Sequence, residues 1–145
     1  MSKPQMQLEI TTHADLSMLE LFRHICHCTL NRLVPERSDH VLLAVHELLI
    51  NSIEASSLRC GTEHTASLTL RITQNEDETE ITVEDQAGGI PSEHLAAMKH
   101  TAFENILWQE RGRGLLFVQA LVDEWEYTAQ AEGSRFTIRI KEDKK

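Results

Sequence analysis

Within the run His46-Glu47-Leu48-Leu49-Ile50-Asn51, a carboxylate and a carboxamide stand four residues apart. On a helix that spacing puts both side chains on one face. Hard oxygen donors of this kind suit Mg2+, and the carboxylate can activate a hydroxyl nucleophile. An exposed polar stripe is the plain alternative for such a pair. The His46-Glu47 dipeptide also begins a zinc-protease helix motif, but Ile50 stands where the second His is needed, which excludes that chemistry. A second segment, Val83 to Pro91, runs from strand-like alternation into Asp85 and on through Gly88 and Gly89. A carboxylate at a strand end, followed by glycines, can recognise a base beside a loop that approaches a ligand closely. Taken alone, a simple turn fits the same residues. The third segment is Arg111-Gly112-Arg113-Gly114-Leu115, at the start of a helical pattern. Backbone N–H groups at a helix start make an anion site, which two Arg side chains reinforce.

These segments need elements to hold them. Met6, Leu8 and Ile10 alternate and predict a strand over Gln5–Ile10, while Leu19, Phe22, Cys26, Leu30 and Leu33 predict a helix over Ala14–Leu33 that Pro35 ends. Val41, Leu42, Val45, Leu48, Leu49 and Ile53 predict a second helix over Ser38–Ser57, the one carrying Glu47 and Asn51. Two strands follow, over Ala66–Thr73 and Glu80–Glu84, with the acidic stretch Glu76–Glu80 as their solvated turn. Short helices are expected at Ser92–Lys99 and Gly114–Asp123. A closing hairpin is expected of Trp125–Gln130 and Arg135–Lys141, with its turn at Glu132-Gly133-Ser134. Adjacent paired strands predict an α+β two-layer sandwich, its sheet mixed but mostly antiparallel and covered on one face by helices. Strictly alternating βαβ units, as in a Rossmann sheet, are missing.

Composition narrows the class. The chain has 145 residues, a single domain's length over 1–145, and 41% of them are hydrophobic. No apolar run approaches a membrane span, and the N-terminus MSKPQMQLEI lacks the apolar core of a secretory signal. Cys26, Cys28 and Cys60 are an odd count, expected as reduced thiols in a cytoplasmic protein. With 23 acidic and 14 basic residues, a net charge of −9, the chain has no basic footprint for nucleic acid.

In order and spacing, the three segments resemble the N, G1 and G2 boxes of the GHKL ATPase and kinase superfamily of gyrase, heat-shock chaperones and histidine kinases. The N box E-x-x-x-N is Glu47 to Asn51; the G1 box is Asp85-Gln86-Ala87-Gly88-Gly89-Ile90-Pro91; the G2 box is Gly112-Arg113-Gly114-Leu115. The compact segment Ser92–Arg111, the LLFVQALVDEW that follows G2, and the closing Gly-Ser-x-Phe-x-Ile pattern look most like anti-sigma-factor serine/threonine kinases of bacterial partner-switching systems. The resemblance covers nearly the whole chain and implies the Bergerat fold, with ATP and Mg2+ as cofactors. It implies Glu47 as the general base, and Asn51 as the Mg2+ ligand. Asp85 would be the acceptor for the adenine amino group, and Gly89 would permit close approach of the nucleotide. Gly112, Arg113, Gly114 and Leu115 would be the phosphate-binding group. The implied partners are a sigma factor or similar target and a small antagonist phosphorylated on Ser or Thr; a homodimer is implied as well. A non-catalytic binding module of the same fold, or a detached histidine-kinase catalytic domain, are the competing readings. Two positions depart from the family pattern. Ala87 replaces the first G1 glycine, and Glu54 stands where many relatives carry His or Lys. An inward-facing carboxylate at Glu54 would weaken nucleotide binding.

Two further features stand outside the boxes. His24, His27 and Cys28 share a helix face that could hold Zn2+, with core or interface packing as the alternative. Trp108 could contact a partner or pin its segment to the core.

Overall fold

The computed structural model describes residues 5–60, 66–86, 118–130 and 133–142. Five strands form one sheet, β1 (Met6–His13), β2 (Ser67–Gln74), β3 (Glu78–Asp85), β4 (Glu124–Gln130) and β5 (Gly133–Lys141), in the order β1-β2-β3-β5-β4. Two helices, α1 (Leu19–Leu33) and α2 (Ser38–Cys60), make the second layer. Every pairing among the described strands is antiparallel, which agrees with the expected α+β two-layer sandwich and its mostly antiparallel sheet.

Strand alternation decides which face the helices cover. The register Leu8↔Ile72, Ile72↔Ile81 and Ile81↔Ile138 stacks apolar residues across the sheet on one side. Those residues join Phe22, Cys26 and Leu30 of α1 and Val41, Val45, Leu48, Leu49 and Ile53 of α2 in a single core. Burial pushes the Cys26 thiol up to about 12, so it is an inert core group. At the β4 end the core closes with Phe136 stacked on Trp125, ring centroids 5.6 Å apart.

The opposite face is charged and paired with itself. Arg71 meets Glu9 at 2.7 Å, Arg135 meets Glu84 at 2.8 Å, Arg139 meets Glu80 at 3.0 Å, and Lys141 meets Glu78 at 2.8 Å. On the same face, Thr82 and Thr137 are buried and share a 3.2 Å hydrogen bond. A ligand cleft between layers therefore has to lie on the helix side.

The element boundaries refine the sequence-based expectation. β1 reaches His13, and a 3-10 turn (Leu16–Met18), with the Asp15 carboxylate accepting from the Ser17 N–H, precedes α1. Asn75 makes the β2–β3 turn by accepting from the N–H groups of Asp77 and Glu78, so β3 begins at Glu78, ahead of the expected Glu80. Gly133 and Ser134 are strand residues of β5, not turn residues, because Gln130 already pairs with Gly133. Residues 118–121 are helical, within the expected Gly114–Asp123 helix; Ser92–Lys99 lies outside the described residues.

One long-range clamp fixes the start of α2. Arg37 donates to Asp123 Oδ2 at 2.7 Å and to the Leu121 carbonyl at 3.1 Å, while the Lys141 N–H donates to the same Oδ2 at 2.6 Å. Partial burial pushes the Asp123 carboxyl up, but these hydrogen bonds outweigh it and leave the net value lowered. A lowered carboxyl contributes stability above its unfolded value that is lost as pH falls through the folded one. Asp123→Asn is expected to cost about 1 kcal/mol at pH 7, the pair being about one third exposed, or about 2–4 °C in Tm. The difference between wild type and variant should shrink as pH falls below the ordinary carboxyl value of 3.8, and thermal melts across pH 2–7 check it. A gap that persists unchanged at pH 2 would assign the effect to packing.

Candidate functional site

Asp85 ends β3 on the same face as Ile81 and Val83, the face that meets the helices. It is a buried carboxylate, and it accepts a hydrogen bond from the Ser134 hydroxyl at 3.1 Å. Ser134 is its register partner on β5 and is itself buried. The next residue, Gln86, accepts from the Ser67 N–H through its Oε1 at 2.8 Å, tying the end of β3 to the start of β2. The carboxylate is thus held from β5, while the chain just after it is tied to β2 at the point where β3 finishes.

Gly133 explains how closely β5 approaches. A Cβ built on it would lie 1.9 Å from the Asp85 carbonyl oxygen and 2.9 Å from the Gln86 Cα. Only a hydrogen fits there, so this glycine lets β5 pack directly against the backbone of Asp85. Sequence reasoning placed Gly133 and Ser134 in a turn and gave neither a role at the site. The signal was the closing Gly-Ser-x-Phe-x-Ile pattern.

On α2, which packs against β3, the buried side chains Val41, Ala44, Val45, Leu48, Leu49, Ser52, Ile53 and Ser56 occupy one broad arc. Glu47 and Asn51 lie beside that arc, both half-buried. At 3.6 residues per turn they are about 40° apart, with Asn51 nearer the core. Among the described residues no hydrogen bond or ion pair engages the Glu47 carboxylate. Asn51 Nδ2 is buried with no hydrogen-bond partner, the one such side-chain atom among the described residues. Leaving a buried amide unsatisfied costs about 1–3 kcal/mol, which a bound polar ligand would remove. A carboxamide turned by 180° about its last bond presents its oxygen in the same place, so the position suits a phosphate or a cation. A carboxylate and a carboxamide side by side are hard oxygen donors, and a Mg2+–nucleotide fits this donor set. Glu54, one of the two departures from the family pattern, is exposed.

The structure brings Glu47 and Asn51 onto one stripe of α2 and sets Asp85 at the helix-facing end of the adjoining strand. Ala87, Gly89, Gly112, Arg113, Gly114, Leu115 and Trp108 lie outside the described residues. On α1, Cys26 is core, whereas Cys28, His24 and His27 are exposed. His24 Nδ1 lies 2.9 Å from the Glu20 carbonyl, and His27 Nε2 lies 3.3 Å from the Asn31 amide. Among the described residues, no three His, Cys, Asp or Glu side chains gather as a metal site.

A match to the histidine kinase-like ATPase domain spans residues 12–140. The chain belongs to that family. Its two-layer α+β sandwich is the fold of that family, and the ATPase assignment carries ATP binding with it as the general expectation. No curated protein matches the chain. Among solved structures, this histidine kinase-like domain is similar to the SiaB–SiaC complex from Pseudomonas aeruginosa. The TM-score is 0.66 at 17% identity, over 92% of this chain and 88% of that one. It is also similar to the RsbU and RsbW domains of Rv1364c from Mycobacterium tuberculosis, with TM-score 0.61 and 17% identity over 94% of this chain. There it spans 32% of the neighbour's length. At such identities the likeness is one of fold. Among the described residues, no helix is long and apolar enough to cross a membrane.

Proposed function

We propose that the chain is an ATP-dependent serine/threonine protein kinase of the anti-sigma-factor type, a single cytoplasmic domain over residues 1–145. It would sequester a sigma factor or equivalent target and phosphorylate a small antagonist protein, as a monomer or homodimer. The observation that carries the reading is the pairing of an unengaged Glu47 with an orphaned Asn51 amide on the helix that packs on the Asp85 strand. The fold shared with RsbW-type and SiaB-type proteins supports it, and a protein partner is the natural counterpart of theirs.

In this reading Asp85 accepts the adenine amino group, its carboxylate kept in place by Ser134. Asn51 would hold Mg2+ through its carboxamide oxygen. When bound, that cation neutralises phosphate charge, and phosphoryl transfer needs little beyond such neutralisation and positioning. Glu47 takes the proton from the attacking hydroxyl, which is a Ser or Thr of the partner. Gly89, Gly112, Arg113, Gly114 and Leu115 complete the nucleotide site by their place in the boxes.

The test is thermal unfolding with and without Mg·ATP. A ligand at about a hundred times its Kd adds roughly 2.7 kcal/mol, which for this size is about 5–11 °C in Tm. Wild type should show that rise and Asp85→Asn should lose it. No rise in wild type at millimolar Mg·ATP would reject the kinase and leave the partner-binding module.

A further inference from the structure

Resting on the nucleotide site proposed above, we propose that Glu54 makes that site selective for the metal-complexed nucleotide over the free one. Glu54 follows Glu47 by seven residues and Asn51 by three on α2. Seven residues turn an α-helix by about 700°, so Glu54 falls about 20° from Glu47 and about 60° from Asn51. The three side chains therefore form one stripe at the border of the buried arc. Residues three apart on a helix have Cβ atoms about 5–6 Å from each other.

Among the described residues, the charge on Glu54 has no local compensation. It is exposed, and among the described residues no cation pairs with it. The glutamates of the outer sheet face differ: Glu9, Glu78, Glu80 and Glu84 each have an Arg or Lys within 3.0 Å. Nor is Glu54 needed for the fold, since it lies outside the buried arc. Its field is free to act on whatever Asn51 holds.

That field has opposite consequences for the two forms of the nucleotide. Chelation of a divalent cation removes about two negative charges from the triphosphate. A unit charge about 7 Å away in water shifts a binding equilibrium about threefold, so two extra charges shift it about sevenfold before salt screening. At physiological ionic strength, where the screening length is about 8 Å, about twofold remains. With a cation held at Asn51, the nearest charge that Glu54 meets is positive, and the penalty disappears. The carboxylate thus costs free ATP affinity and leaves Mg·ATP unharmed.

Isothermal titration of the full chain with ATP, in excess Mg2+ or in EDTA, tests this by binding rather than turnover. Glu54→Gln should tighten metal-free ATP about three- to sevenfold at low salt and change Mg·ATP by less than about twofold. Glu54→Lys should go further in the same direction, and added salt should shrink both effects. Glu76→Gln, in the exposed β2–β3 turn, removes the same net charge elsewhere and should leave the ratio of the two affinities unchanged. A Glu54→Gln that shifts both forms equally, or neither, overturns the role given to Glu54, as does a Glu76→Gln that reproduces its effect. Wild type that binds neither form overturns the nucleotide site itself, and the inference falls with it.

Discussion

Glu47→Gln is expected to lower ATP turnover by about 10²–10⁴-fold while leaving Mg·ATP binding intact, the range that a positioned general base supplies. Glutamine keeps the length and the half-buried position of the side chain on α2 but cannot accept the proton of an attacking hydroxyl. Because no neighbour among the described residues engages the native carboxylate, the exchange breaks no hydrogen bond and no ion pair there. Stability should therefore stay within about 0.5 kcal/mol, as for substitutions without a structural role. Two measurements separate the roles: phosphate release at saturating Mg·ATP, and the rise in Tm on adding the same ligand. Lost turnover with a retained Tm rise assigns chemistry to Glu47 and nucleotide binding elsewhere. Turnover unchanged in the variant would place the base on another residue. A loss of the Tm rise would move Glu47 into the binding group beside Asn51.

The stripe that carries this prediction was legible in the sequence because helical periodicity fixes which residues share a face. Glu47 and Asn51 interrupt an otherwise apolar pattern at a spacing only a helix brings together. β3 was equally legible, since Ile81 and Val83 alternate and Asp85 continues their phase to the strand end. What escaped depends on partners distant in sequence. Arg37 and Asp123 are 86 positions apart, and neither is unusual locally. Thr82 and Thr137 are buried on the charged face and hydrogen-bonded to each other across two strands, which no single strand's pattern reveals. The cost of an orphaned Asn51 amide likewise appears only once the surrounding core is assembled. Glu132-Gly133-Ser134 misled for a related reason. Gly followed by Ser has turn chemistry, but here the glycine answers to a carbonyl on the next strand rather than to its own backbone.

Gly133→Ala turns that reading into a measurable effect. The backbone of Gly133 is in an ordinary strand conformation without positive φ, so alanine meets no torsional penalty there. Its methyl group, however, would sit 1.9 Å from the Asp85 carbonyl oxygen, well inside contact distance, and both colliding groups belong to paired backbone. Neither can rotate away as a flexible side chain would. The strands must part at the Asp85–Ser134 end, at a cost of about 1–3 kcal/mol, typical of overpacking, or about 2–12 °C in Tm. Parting them also moves the Asp85 carboxylate from the position in which Ser134 holds it. A hydrogen bond to a charged group contributes about 1.5–3 kcal/mol, so losing the adenine contact should weaken Mg·ATP by about 10–100-fold. Ser134→Ala provides the contrast: it deletes the 3.1 Å hydroxyl contact without moving the strand, and should weaken the nucleotide by less than about tenfold. Titration calorimetry on both variants, with melts of each, distinguishes the two causes. If Gly133→Ala leaves both Tm and nucleotide affinity unchanged, the close approach of β5 does not position Asp85. If it lowers Tm alone, Asp85 reaches its ligand from either position, and the positioning role given to Gly133 fails.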